Sequence, residues 1–283
     1  MSKVAIVTDS ASDLAPARAA ELWITVVPLL VSFGSEEFQA GVELSAEDFW
    51  TRMTAPDAPF PKTAAASPVA FRDAFEAAFS SGAPAVVCIT VAASLSGTFK
   101  SATLGREMLP EREIYVVDSD TAAFGQALLA MLGQDLAAAG RSAAEIAAEV
   151  KDRASDVEAI VCLDTLEYLR RGGRISGAQA VIGTLLSVKP IIAIHDGKVD
   201  KVDQVRTRGK ARERAIEFVT SRPVERLAIF HSMSPDLAEF RAEVIKRVGT
   251  VPEADVETAI IGPSIGPHLG PGALGAAMLY RKA

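Results

Sequence analysis

Through the first half of the chain, short apolar, β-branched runs alternate with amphipathic segments. Residues 4–7, 25–31, 85–90 and 114–117 read as strands, and residues 15–22, 68–80, 97–109 and 121–139 carry the period of helices. Near-continuous apolar strands separated by helices predict a mostly parallel sheet covered on both faces. Asp13 ahead of Leu14-Ala15-Pro16 reads as a helix start, and Ser67-Pro68 repeats the pattern. Pro56, Asp57, Pro59 and Pro61 interrupt the rhythm, so residues 51–66 are expected to form a long exposed loop.

From Lys151 the style changes. Residues 158–163 read as a strand and 164–171 as a short helix closed by Gly172-Gly173, with Ser176 capping a further helix to residue 186 that Lys189-Pro190 ends. Residues 191–194 and 199–205 form a hairpin around Asp196-Gly197, and 227–231 and 256–261 are later strands separated by a helix over 235–248. The expected fold is α/β: an N-terminal α/β domain with a mostly parallel sheet over residues 1–150, and a C-terminal α/β domain, α+β in style, over 151–283.

Composition narrows the class. The 283 residues are 49% hydrophobic and 23% charged with a mean hydropathy of +0.23, which excludes disorder as a general description. Lys and Arg number 29 against 36 Asp and Glu, net −7, a field that repels nucleic acid. Cys88 and Cys162 each sit in an apolar run and read as buried thiols of a reducing compartment. No run reaches the ~18 apolar residues of a membrane span, and Asp9 and Asp13 fall where a secretory signal is apolar. A soluble, cytoplasmic protein is expected.

Several catalytic patterns fail on context. Gly270 to Gly275 fits GxGxxG, but too little chain follows for a dinucleotide-binding βαβ unit. Gly262 to Gly266 fits GxSxG without a downstream acid. Asp118 and Asp120, after the strand at 114–117, resemble the opening of aspartyl-phosphate phosphatases, although Ala122 replaces the expected Thr or Val; the plain alternative is an acidic helix start. His195, His231 and His268 have no metal-ligand spacing, and His195 reads as a solvated turn residue. Ser96, before Gly97-Thr98 and a helix, is either an anion-binding hydroxyl or a cap. Arg174 follows a Gly-rich turn, where an arginine is ordinarily solvated, and His268 lies in a Gly/Pro-rich segment over 262–275.

Taken in order, Val4-Ala5-Ile6-Val7-Thr8-Asp9-Ser10, Lys62-Thr63 to Ser67-Pro68, Leu95-Ser96-Gly97-Thr98, Val117-Asp118-Ser119, Leu166 to Ile175, Lys189-Pro190-Ile191 and Gly266 to Gly275 resemble the DegV family of fatty-acid-binding proteins, of the EDD fold. The resemblance runs from end to end. It implies a long-chain fatty acid held between the two domains, with no cofactor, and no catalytic residue supplied by this chain. Its ligand-binding positions map onto Thr63, Ser96 and Gly97, with Arg174 and His268 close to the head group. It further implies a partner fatty acid kinase with a dihydroxyacetone-kinase-like domain, which makes acyl-phosphate for phospholipid metabolism, and transient membrane contact. Two departures are visible: the usual Thr-Ser-Gln-Pro-Ser-Pro loop is Thr63-Ala64-Ala65-Ala66-Ser67-Pro68, and Ala92-Ala93 replaces Ser-Ser. Both remove hydroxyls beside the head group.

The implied ligand makes physical sense. Burying ~14 methylenes at about 0.8 kcal/mol each gives roughly 11 kcal/mol, which offsets an association cost of about 4–15 kcal/mol only in a preformed tunnel. The carboxylate then needs donors and a cation, and Thr63, Ser96 and Arg174 have that chemistry.

Overall fold

Among the residues described, 4–175 and 188–282, the computed structural model carries three sheets. The first is fully parallel, in the order β2 (Ile24–Val27), β1 (Ala5–Asp9), β6 (Val86–Thr90), β7 (Ile114–Asp118). Every residue of Val86–Thr90, Cys88 included, is buried, as a strand covered on both faces requires. The chain moves outward from β1 to β2 on one side and from β6 to β7 on the other. Strand direction of travel therefore reverses between β1 and β6, and the loops at their carboxyl ends diverge to leave a crevice.

The second sheet has the order β10 (Lys198–Val205), β9 (Lys189–His195), β8 (Val157–Cys162), β13 (Leu274–Tyr280), β11 (Val224–His231), β12 (Glu257–Ile260), antiparallel except for the β11–β12 pair. The turn between β9 and β10 is the expected Asp196-Gly197, with φ of 47° and 68°, the backbone of a two-residue hairpin. Between the two sheets runs α5 (Phe124–Ala138), ten of whose fifteen residues are buried. Its Gly133 lies against Ile6 and Ile89 of the first sheet, and its Phe124 stacks on Phe230 of the second at 5.9 Å. The opposite face of the second sheet packs on α8 (Arg208–Val219) and α9 (Leu237–Val248) through a separate cluster that includes Ala211, Phe240 and Met278.

A third, antiparallel sheet of β4 (Glu36–Gln39), β3 (Leu30–Phe33) and β5 (Lys62–Ala64) leans over the crevice; Thr63 of β5 pairs with Val31. The helix α3 (Pro68–Ser80) matches the sequence reading; it and α6 (Ala143–Arg153) are each started by a serine, Ser67 and Ser142, whose hydroxyl accepts a first-turn N–H.

Four readings need correction. The run 25–31 is two strands in different sheets, because Pro28 has no N–H to continue the ladder. The loop expected over 51–66 begins as the end of α2 (Ala46–Met53), anchored by buried Phe49 and Trp50, and contains β5. Asp13 starts no helix: it sits at φ 55° with its carboxylate accepting from Gly262 N–H at 2.9 Å, and α1 (Pro16–Glu21) opens at Pro16. Lys189-Pro190, read as a helix end, opens β9, and the Gly/Pro-rich segment over 262–275 leads into β13, a strand not identified from sequence and wholly buried between β8 and β11. The helix expected from Ser176 to residue 186 lies outside the described residues.

Candidate functional site

A cavity occupies the crevice at the carboxyl ends of β1 and β6. Ala11 follows β1; Val91, Leu95, Ser96 and Gly97 follow β6; Thr63, Ala64 and Ala65 come from β5 and its exit; Ala122 precedes α5; Ile194 and Val199 come from the β9–β10 hairpin. The remaining wall is Leu169 on α7 (Glu167–Arg171), Arg174 just beyond it, and Ser264, Ile265, His268 and Leu269 on or before α10 (Gly266–Leu269). All five residues singled out in the sequence, Thr63, Ser96, Gly97, Arg174 and His268, line this one space. Ala64 and Ala65, which stand where the family pattern has Ser and Gln, line it too.

The hydroxyls are arranged as donors. Thr63 Oγ1 lies 3.1 Å from His268 Nε2. Burial, reinforced by the positive charge of Arg174, lowers the His268 pKa to about 4, so the ring is neutral at neutral pH. With the ring proton on Nε2, His268 donates to Thr63 and leaves the Thr63 hydroxyl proton to point elsewhere. Ser96 Oγ lies 2.8 Å from Thr98 Oγ1 and accepts from Thr98 N–H at 3.3 Å, so it both contacts the start of α4 (Thr98–Glu107) and keeps its own proton available. The N-cap position of α4 itself is Gly97, and no side chain caps the helix.

Arg174 is held rather than solvated. Its Nε donates to Leu95 O at 3.1 Å and its Nη1 to Gly172 O at 2.7 Å, and no carboxylate among the described residues pairs with it. Its charge is therefore left to the cavity. Gly172 has a steric role: a Cβ there would fall 2.2 Å from His268 Nδ1. Gly270, at φ 75°, is likewise pressed on the Tyr168 ring, which places α10 against α7.

Among the cavity's lining residues Ala64 and Gly97 are exposed, while Ala11, Leu29, Val91, Ala122, Ile194 and Val199 are buried. The volume is ≈ 130 Å³, below the ~300–1,000 Å³ usual for small-molecule sites.

Sequence reasoning missed Ala11, Leu29, Ile194 and Val199, because an apolar lining residue looks like any core residue. Ser264 had a signal in its GxSxG decoy; it lines the cavity with its Oγ 2.8 Å from Ser10 Oγ. The phosphatase candidates do not converge. Asp118 accepts from Ala93 and Asp120 N–H, Asp120 pairs with Lys151 at 2.5 Å, and neither lines the cavity. His195, read as a turn residue, is the half-exposed last residue of β9, beside Asp196.

The neutral His268 carries a stability signature. Its folded pKa of about 4 lies below the ordinary 6.5, so the unfolded chain binds the extra proton and stability falls as pH drops from 6.5 toward 4, by up to roughly 3 kcal/mol. Urea unfolding at both ends of that window should show the wild-type chain losing more than a His268→Gln variant. Equal losses would contradict the assignment.

Fold and cavity together define an α/β protein with a mostly apolar cavity into whose lining hydroxyl, imidazole and guanidinium groups are gathered. Its relatives are specific. A family model described as "Uncharacterised protein, DegV family" matches residues 3–281, and the chain belongs to the DegV family. It is 33% identical over 286 residues to a DegV domain-containing protein of Halalkalibacterium halodurans, covering 100% of both, and 35% identical over 284 residues to one of Streptomyces coelicolor, covering 98% and 99%. Among solved structures it resembles a DegV family protein from Thermus thermophilus described as binding fatty acid (TM-score 0.88, 30% identity, 99% and 100% coverage). It also resembles a stearic acid-binding protein from Eubacterium ventriosum (TM-score 0.87, 27% identity, 99% and 98% coverage). No helix among the described residues is long and apolar enough to cross a membrane.

Proposed function

We propose that the protein binds a long-chain fatty acid with its carboxylate at Thr63, Ser96 and Arg174 and presents that carboxylate to a partner kinase. The observation that carries the reading is the convergence of these groups, with His268, on one cavity whose other lining residues are mostly apolar. The acyl chain supplies affinity by burial. The unpaired Arg174 charge and two hydroxyl donors offset the desolvation of the carboxylate.

Uncharged donors stabilise the carboxylate without covering both its oxygens. An oxygen left uncovered is then free to attack the terminal phosphorus of a nucleoside triphosphate held by the partner; the new P–O bond forms as the bond to the diphosphate breaks. In this reading the chain orients the nucleophile and excludes water from the tail, and the partner supplies the nucleotide site.

Thr63→Ala and Ser96→Ala are each expected to weaken binding of a fluorescent fatty acid roughly 10-fold, the scale of one hydrogen bond to a charged group, with little change in melting temperature. Parallel losses of affinity and stability would assign the hydroxyls to the fold.

A further inference from the structure

The turn that follows β1 contributes only Ala11 to the cavity, yet it governs more of the wall than it touches. Asp9 is fully buried at the switch point. Its Oδ1 accepts from Ala11 N–H at 2.9 Å, and its Oδ2 accepts from Val91 N–H at 2.9 Å and from Gln126 Nε2 on α5 at 3.0 Å. Ala11 and Val91 are both cavity residues, one after β1 and one after β6. A single carboxylate thus ties together the two lips of the crevice. Ser10 adds a second tie, accepting from Leu29 N–H at 2.8 Å and meeting Ser264 Oγ, again two lining residues.

We infer that Asp9 is a positioning residue for the ligand cavity: it holds Ala11 and Val91 in place while ionised and releases them when protonated, so that ligand retention follows its charge. The inference rests on the fatty-acid reading of the cavity.

The chemistry around Asp9 supports both states. A carboxylate accepts three N–H donors here, and burial opposes them strongly enough to lift its pKa to about 6. The titratable groups that feel its charge are Asp13, across the turn, and the Cys88 thiol on β6, each pushed up first by burial and then by the Asp9 charge. Thr8 and Gln126 are its uncharged polar neighbours, and no cation among the described residues bonds to it. A protonated carboxyl has one acceptor fewer and needs an acceptor of its own. Gln126 Oε1 is buried without a partner, and turning the amide over offers that oxygen to the Asp9 proton. The turned amide no longer donates to Oδ2, and the Val91 tie slackens with it.

The test measures release of cis-parinaric acid from the intact protein to acceptor vesicles between about pH 7.5 and about pH 5. Wild-type release is expected to accelerate about tenfold across that window, the scale of one charge-assisted hydrogen bond. Asp9→Asn should release quickly at both ends with no step. Gln126→Met removes a donor from the carboxylate and should move the step to higher pH. Uptake with a flat wild-type profile, a wild-type step surviving in Asp9→Asn, or an unshifted step in Gln126→Met would each overturn the inference and leave fatty-acid binding standing. Absence of wild-type uptake at any pH overturns the fatty-acid reading itself.

Discussion

Replacing Arg174 with alanine is expected to weaken fatty-acid binding by roughly 30-fold or more, the largest effect of any single substitution at the site, because it leaves a desolvated carboxylate without its cation. Arg174 is held in place by Leu95 O and Gly172 O, and no carboxylate among the described residues competes for it. Arg174→Lys keeps the charge but not the planar fork that meets both carbonyls, so its affinity should fall between wild type and alanine. Unfolding of the ligand-free protein should change little in either variant, since only two backbone contacts are lost. Titration with a fluorescent fatty acid checks the order; equal affinity in wild type and Arg174→Ala would show that the head group lies elsewhere.

Gly172→Ala is expected to destabilise the chain by about 1–3 kcal/mol and to impair binding at the same time. The added Cβ would sit 2.2 Å from His268 Nδ1, and the imidazole cannot retreat without giving up its 3.1 Å contact with Thr63. The backbone itself tolerates alanine, since φ at Gly172 is −75°. Any loss therefore comes from the displaced ring and not from strained dihedrals. A double substitution, Gly172→Ala with His268→Ala, should recover most of the stability but not the affinity. Calorimetric melting with a binding titration separates these outcomes, and a fully stable Gly172→Ala would mean that α7 and α10 slide apart at no cost.

The alternation of strand and helix in the first half was legible because each parallel strand is apolar on both faces and each helix has one polar face. Where the sequence misled, the cause is local chemistry. Pro28 splits one apolar run between two sheets, and the small residues Gly275-Ala276-Ala277 hid β13, a strand that the sequence reading did not identify. Those residues are small because neighbours crowd them: a Cβ at Gly275 would meet Ile160 O at 2.4 Å. The polar residues of the cavity, Thr63, Ser96, Arg174 and His268, were legible through the family resemblance, since Thr63 carries no signal of its own and Arg174 by itself reads as solvated. Ile194 and Val199 were not, because the same side chains serve a core and a cavity wall equally well. Asp9 was visible as a residue but not as a brace, since its partners Val91 and Gln126 are far away in sequence.

Native mass spectrometry of the protein purified from cells, followed by lipid extraction, tests the central claim most directly. The account predicts a bound species with the mass of a long-chain fatty acid that leaves on denaturation and is depleted in Arg174→Ala. Protein that is consistently free of lipid, and that also fails to take up added palmitate or oleate, would contradict it.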